Sequence, residues 1–149
     1  MRKFLAVLIT ALAVMLVPTA AHAAVKFHSL NVTDEGTQLR VTGNVSGLGN
    51  EDLTAIVNAT GIATVECSNP AGNVAPGQDT SVDVSGSQDD IQVKNGRATF
   101  NVLTDAPTVS GAEACPNPKW TATVTDVEFT DATLTLIQGG QVISTTDLI

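Results

Sequence analysis

Aromatic and basic residues are scarce in this chain of 149 residues. Tyrosine is absent, with one tryptophan and four phenylalanines, and seven lysines and arginines stand against fifteen aspartates and glutamates. Nucleic acid and anionic membrane surfaces both require lysine and arginine to neutralise phosphate. The composition therefore predicts neither a nucleic-acid partner nor a membrane partner, and the few aromatic rings argue against a sugar-binding cleft.

Histidine is equally scarce, which limits the catalytic chemistry available. His28 is the only imidazole beyond residue 23, so a catalytic triad would have a single candidate base. A zinc site would likewise have too few histidine and cysteine ligands. Neither a GxSxG nor an SxxK motif occurs. We therefore predict that the protein is not an enzyme and holds no cofactor, and that His28 lies on an edge strand.

The N-terminal segment has the three parts of a secretory signal. A basic Arg-Lys start precedes the uncharged stretch Phe4–Val17, and Ala21 and Ala23 occupy the small-residue positions read by signal peptidase. Fourteen residues of helix span about 21 Å, too short for a hydrocarbon core of about 30 Å, which disfavours a retained anchor. We predict that residues 1–23 are cleaved and that residues 24–149 are secreted, or periplasmic in a Gram-negative bacterium.

Removal of the signal leaves one acidic domain with two cysteines. Five basic residues remain against fifteen acidic ones, a net charge of −10, which favours solubility. Cys67 and Cys115 have no other thiol partner, and an oxidising compartment favours a disulfide between them. By the chain-entropy estimate, closing a loop of about 49 residues stabilises the fold by about 4 kcal/mol.

Alternation of apolar and polar residues predicts β-strands through most of the domain. The most regular runs are Leu39–Val45, Leu53–Ala59, Ala98–Val102 and Trp120–Val124. Less regular runs are Phe27–Thr33, Ile62–Ser68, Ser81–Ser85, Ile91–Lys94, Val127–Thr130, Thr133–Ile137 and Gln141–Ser144. The pairs Asn95-Gly96 and Gly139-Gly140 favour the positive φ angles of tight hairpins.

Seven to nine short strands, about ten residues apart, predict an all-β antiparallel sandwich or barrel. Chain length and strand number favour an immunoglobulin-like sandwich. Antibody-type domains place a tryptophan between their two cysteines, whereas Trp120 follows Cys115 here. The resemblance therefore concerns architecture alone, and the alternation of Trp120 with Ala122 and Val124 predicts a core position for its ring.

The segment Asn69–Asp79 is the predicted interaction loop. It lacks apolar periodicity, is long for a sandwich connection, and is tethered at its base by Cys67. Loops on a rigid scaffold often carry binding sites, although a passive loop pinned by the disulfide is the simpler interpretation. The polar side chains that we expect to contact a partner are Asn69, Asn73, Gln78 and Asp79.

Calcium is the best cofactor alternative, because acidic exported β-domains can hold it between loop carboxylates. No DxDxDG loop is present, and solvated charges are the simpler interpretation. The candidate ligands are Asp89, Asp90, Asp126, Glu128 and Asp131.

These features predict a secreted, non-enzymatic binding module for a protein, surface or matrix component. A small exported enzyme or carbohydrate-binding module is one alternative, with Trp120 as its test residue. A secreted inhibitor of extracellular hydrolases is another, because inhibitory loops carry no universal sequence signature.

Overall fold

The computed structural model describes residues 24–149, and the predicted signal peptide, residues 1–23, lies outside them. Within the described residues the chain is almost entirely β-structure, which confirms the predicted class. Its elements are β1 Lys26–Asp34, β2 Leu39–Ser46, β3 Leu53–Ser68, β4 Val74–Pro76, β5 Thr80–Ile91, β6 Arg97–Leu103, α1 Gly111–Ala114, β7 Thr121–Gln138 and β8 Gln141–Asp147. No helix in residues 24–149 is long and apolar enough to cross a membrane.

The strands form two sheets in which every neighbouring pair is antiparallel. Sheet A has the order β1-β2-β6. Sheet B has the order β5-β3-β7-β8, and the short β4 pairs with the end of β3 on the side that β5 occupies further back. The apolar residues of the two inner faces meet in one cluster, so the sheets pack face to face.

Both predicted hairpin turns have the required backbone. Asn95-Gly96 has φ angles of 53° and 70°, and Gly139-Gly140 has 57° and 73°. These positive angles match the right-handed twist of the strands that they join. The predicted strand Ile91–Lys94 is wrong in extent, because β5 ends at its first residue and only an isolated bridge joins Lys94 to Arg97.

Strands β3 and β7 are longer than the sequence pattern predicts. Each joins runs that we expected to be separate, giving 16 residues in β3 and 18 in β7. In β7 the buried positions change phase twice, where Thr125 and Thr130 are extra residues opposite the register shifts at Thr64/Val65 and Thr60/Gly61. A β-bulge inserts one residue and so shifts the alternation of apolar and polar residues. The two shifts in β7 explain why its sequence pattern predicted three separate strands.

The main core lies between sheet A and the facing parts of β3, β5 and β7. Phe100 on β6 is 1% exposed and fills the space above Gly43 on β2, where an added Cβ would lie 2.4 Å from the ring. The other fully buried large side chains of this cluster are Leu39, Val41, Val45, Leu53, Val57, Val102, Leu134 and Leu136. Sheet A is therefore one wall of a close-packed sandwich.

A second, smaller cluster lies where β3 and β7 extend beyond sheet A. Its buried members are Ala63, Val65, Cys67, Val82, Ala114 and Val127. The connection Asp105–Trp120 packs against this cluster and covers it on the side that faces away from sheet B. Thr104, just before that connection, is buried: its N–H donates to the Leu39 carbonyl, and its Oγ1 accepts a hydrogen bond from the Leu39 N–H. This joint fixes the point at which the chain leaves sheet A.

Candidate functional site

The predicted disulfide is present and joins two distant segments. Cys67, near the end of β3, is fully buried, and its Cα lies 5.7 Å from that of Cys115. We define the disulfide end as the segment Asn69–Asp79 together with the segment Ser110–Trp120, which this bond ties to β3 and β7. Cys67 thus lies near the end of a strand, whereas Cys115 directly follows α1.

A local sequence signal explains the helical turn before Cys115. The Glu113 carboxylate accepts hydrogen bonds from the Ser110 hydroxyl, at 2.7 Å, and from the Ser110 backbone N–H, at 3.2 Å. The hydroxyl and backbone donors lower the pKa of Glu113. Serine followed three residues later by glutamate is the capping-box pattern, and our strand-based interpretation overlooked it.

The predicted interaction loop is a hairpin with regular pairing. Strand β4 pairs with Glu66–Ser68, so only the tip, Asn69–Asn73, is a true turn. The Asn69 side-chain oxygen accepts hydrogen bonds from the N–H groups of Ala71, at 3.0 Å, and Asn73, at 2.9 Å. The polar group of Asn69 thus stabilises the turn, whereas Asn73 is exposed at the tip.

The base of the hairpin is fastened to both sides of the disulfide. The Gly77 N–H donates to the Val65 carbonyl at 2.7 Å, and the Gln78 N–H donates to the Ala114 carbonyl at 2.8 Å. An added Cβ at Gly77 would lie 3.0 Å from the sulfur of Cys67, so glycine allows this close approach. The side chains of Gln78 and Asp79 remain exposed, so both can contact a partner.

The second exposed turn of the disulfide end repeats the geometry of the first. The Asn117 side-chain oxygen accepts a hydrogen bond from the Lys119 N–H at 2.9 Å, two residues further on, as Asn69 does with Ala71. Both asparagines belong to a Cys-x-Asn-Pro sequence, and asparagine followed by proline favours such an Asx-turn. The shared sequence therefore encodes two similar turns, joined through their cysteines.

Trp120 closes the second turn and lies partly inside the protein. Its ring is half-buried against the second cluster, so the predicted core position is confirmed in part. The backbone N–H of Trp120 donates to the Asn117 backbone carbonyl at 3.0 Å. The exposed surface of the disulfide end contains prolines, asparagines and small residues, Val74, which is 62% exposed, and the polar or charged side chains of Gln78, Asp79, Glu113 and Lys119.

A shallow acidic groove lies beside the disulfide end. It has a volume of about 420 Å³ and separates the outer edge of β5 from the segment Asp105–Val109. Three carboxylates line it, Asp83, Asp105 and Glu113. The groove is polar and open, which suits contact with a macromolecule better than enclosure of a small molecule.

The calcium candidates are dispersed over the domain. Asp89 and Asp90 lie at the far end of β5, whereas the other three, Asp126, Glu128 and Asp131, are distributed along β7. Within residues 24–149, no three His, Cys, Asp or Glu side chains form a group that could hold a metal ion. The structure therefore does not assemble the predicted ligands into one site.

His28 lies on β1, an edge strand, as predicted. Its Nε2 is 2.7 Å from the Ser46 hydroxyl, and the pair is exposed. A catalytic base is usually oriented by a third group, and in the described part of the chain no side chain hydrogen-bonds the other ring nitrogen. The pair is a surface contact of sheet A.

No protein-family model and no curated protein sequence matches the chain. Inference about function therefore starts from the chain's own residues and the surfaces that they form.

Proposed function

We propose that the chain is a secreted, non-enzymatic binding module whose disulfide end contacts a protein, cell-surface or matrix component. The observation that carries the proposal is the joint immobilisation of two exposed turns by one disulfide. Preordered loops lose little conformational entropy on binding, which raises affinity. Asn73, Gln78 and Asp79 supply polar contacts there, and Val74 supplies an apolar one.

The strand order supports an immunoglobulin-like sandwich. Strands β1, β2 and β6 correspond to A, B and E of that fold, and β5, β3, β7 and β8 correspond to C′, C, F and G. The disulfide differs from the inter-sheet B–F bond of antibody domains, because it joins C to the connection before F. In this interpretation the scaffold is immunoglobulin-like, and its disulfide lies at the proposed binding end instead of between the two sheets.

Export is supported by the signal-like N-terminus and by the disulfide, since such bonds persist in oxidising compartments. A secreted hydrolase inhibitor is the second candidate function. The hairpin tip favours it, because an exposed turn held by a neighbouring disulfide is preorganised to fit an enzyme cleft.

The test uses protein purified from the medium of its source cells. Export is checked first by sequencing its N-terminus, which we expect to be Ala24. Binding to source-cell surfaces and extracellular matrix, and inhibition of extracellular hydrolases, are then measured for the wild type and for two variants. The tip variant carries Asn73→Ala and Val74→Ala, and the control carries Gln141→Ala and Val142→Ala at the opposite end of sheet B.

We expect the tip variant to bind or inhibit about tenfold less well, with the control unchanged, because a few anchoring residues carry most binding energy. Equal thermal unfolding temperatures show that both variants fold. Unchanged binding by the tip variant, or equal losses in both variants, overturns the assignment to the disulfide end.

A further inference from the structure

Three basic side chains form a line across the outer face of sheet A. The register pairs Lys26 with Ser46, Ser46 with Arg97, and Arg97 with Lys94. Cross-strand partners point to the same face of a sheet, and strands lie about 4.8 Å apart. We call these four residues the basic row. It lies at the end of the sandwich opposite the disulfide end, and its three cations are exposed.

No carboxylate of residues 24–149 forms an ion pair with the basic row. The ion pair found within residues 24–149 joins Arg40 to Glu35, so no carboxylate approaches Lys26, Lys94 or Arg97 within 4.0 Å. Like charges directly opposite each other in an antiparallel pair are destabilising. Only five basic residues follow residue 23, and three of them occupy this row. Residues that lower the stability of the fold in this way are expected at functional sites, so the basic row is a candidate binding surface.

The surroundings of the basic row are rich in hydroxyl and amide groups. His28 contacts the Ser46 hydroxyl, and in the adjoining row the Asn44 amide donates to the Thr99 hydroxyl at 3.1 Å. An open groove of about 490 Å³ lies between Asn44 and Thr99 on one side and Gln88–Lys94 on the other, with Asp90 as the carboxylate in its lining. The exposed large apolar residues of the described chain all lie elsewhere.

We propose that the basic row binds an acidic polysaccharide, with carboxylate or sulfate groups repeated along its chain. A straight array of cations on a rigid sheet fits a polymer of regularly spaced anions, while the neighbouring hydroxyls and amides can bond sugar hydroxyls. Sites for single-stranded nucleic acid stack bases on aromatic rings, and no Trp, Tyr or Phe points outward here. Membrane-surface binding is strengthened by apolar side chains that insert beside the cations, and the exposed large apolar residues of the described chain lie elsewhere.

Charge on the opposite face fixes the orientation of such a complex. Glu66, Asp83 and Glu128 lie at outward-facing positions of sheet B. These carboxylates make the outer face of sheet B unfavourable for a polyanion, so a polyanion approaches sheet A rather than sheet B.

The test uses residues 24–149 with heparin and polygalacturonate as probes. Neutral dextran, single-stranded DNA and vesicles containing phosphatidylserine serve as comparison ligands. Three single variants, Lys26→Gln, Lys94→Gln and Arg97→Gln, and the triple variant are compared with Lys119→Gln, which removes one charge at the disulfide end. Affinity is measured as a function of salt concentration.

We expect binding to at least one acidic polysaccharide, with about fivefold weaker affinity for each single variant and a shallower salt dependence. The triple variant should not bind, and Lys119→Gln should match the wild type. The row variants should unfold at the same or a higher temperature, because like-charge repulsion is removed. Failure of the wild type to bind either polymer, equal weakening by Lys119→Gln, or stronger binding to DNA or vesicles overturns the proposal. Because this surface and the disulfide end are separate, each proposal can fail alone.

Discussion

Replacement of both cysteines by alanine should destabilise the disulfide end much more than the rest of the sandwich. The disulfide holds the segment before β7 against β3, so its loss releases the cover of the second cluster. Sheet A and the first half of β3 share a separate and larger cluster that contains neither cysteine. We therefore expect Cys67→Ala with Cys115→Ala to loosen the disulfide end while the sandwich persists.

The magnitude follows from the length of the closed loop. The cysteines are 48 residues apart, which by the chain-entropy relation corresponds to about 4 kcal/mol of stabilisation at 25 °C. Small domains are stable by only about 5–15 kcal/mol in total. The double variant should therefore lose a large share of its free energy of unfolding and remain folded only narrowly.

Urea unfolding of the oxidised wild type, the reduced wild type and the double variant measures this loss. The reduced protein retains both sulfur atoms in the core, so its comparison with the variant separates loop closure from packing. Hydrogen exchange should lose protection first at Ala63 and Val65 and last at Val57 and Leu134. A loss of less than about 1 kcal/mol, or a uniform loss of protection, would refute the reasoning.

Two further predictions concern single contacts. Thr104→Val should destabilise the fold by about 1–3 kcal/mol in urea unfolding, because the buried Leu39 N–H loses its acceptor, whereas Thr104→Ser keeps it; equal stabilities would contradict this. Hydrogen bonding from Arg40 lowers the pKa of Glu35, so the stabilisation is complete above the ordinary glutamate pKa and is lost as pH falls through the lowered one. Arg40→Gln should return the Glu35 titration, followed by NMR, to its ordinary range; an unchanged titration would exclude this cause.

The class and most strands of this fold could be predicted from alternation, because β2, β3, β5, β6 and β7 each bury one face. The bulges in β7 could not, since an extra residue is defined only by the partner strand that it fails to pair with. The capping box at Ser110 was visible in the sequence and was overlooked among strand signals. Asn69 was expected to contact a partner, yet its side chain is used by the turn that it starts.

The basic row illustrates a different limit of sequence reasoning. Lys26, Ser46 and Arg97 are far apart in the chain, and nothing in their local context marks them. Only the register of three strands aligns them, and a shift of one residue in β1 or β6 would turn a cation toward the core. Surfaces formed by register become visible when pairing is known.

The length of β3 determines how far apart two bound molecules would be held. Its 16 residues extend for about 50 Å at about 3.3 Å per residue, from the neighbourhood of the basic row to the disulfide end. Molecules bound at these two places would not compete for space, so one copy of the domain can bridge an acidic polymer and a second surface. The distance between the two bound molecules would be fixed by a rigid sheet, whereas a flexible linker would allow it to vary.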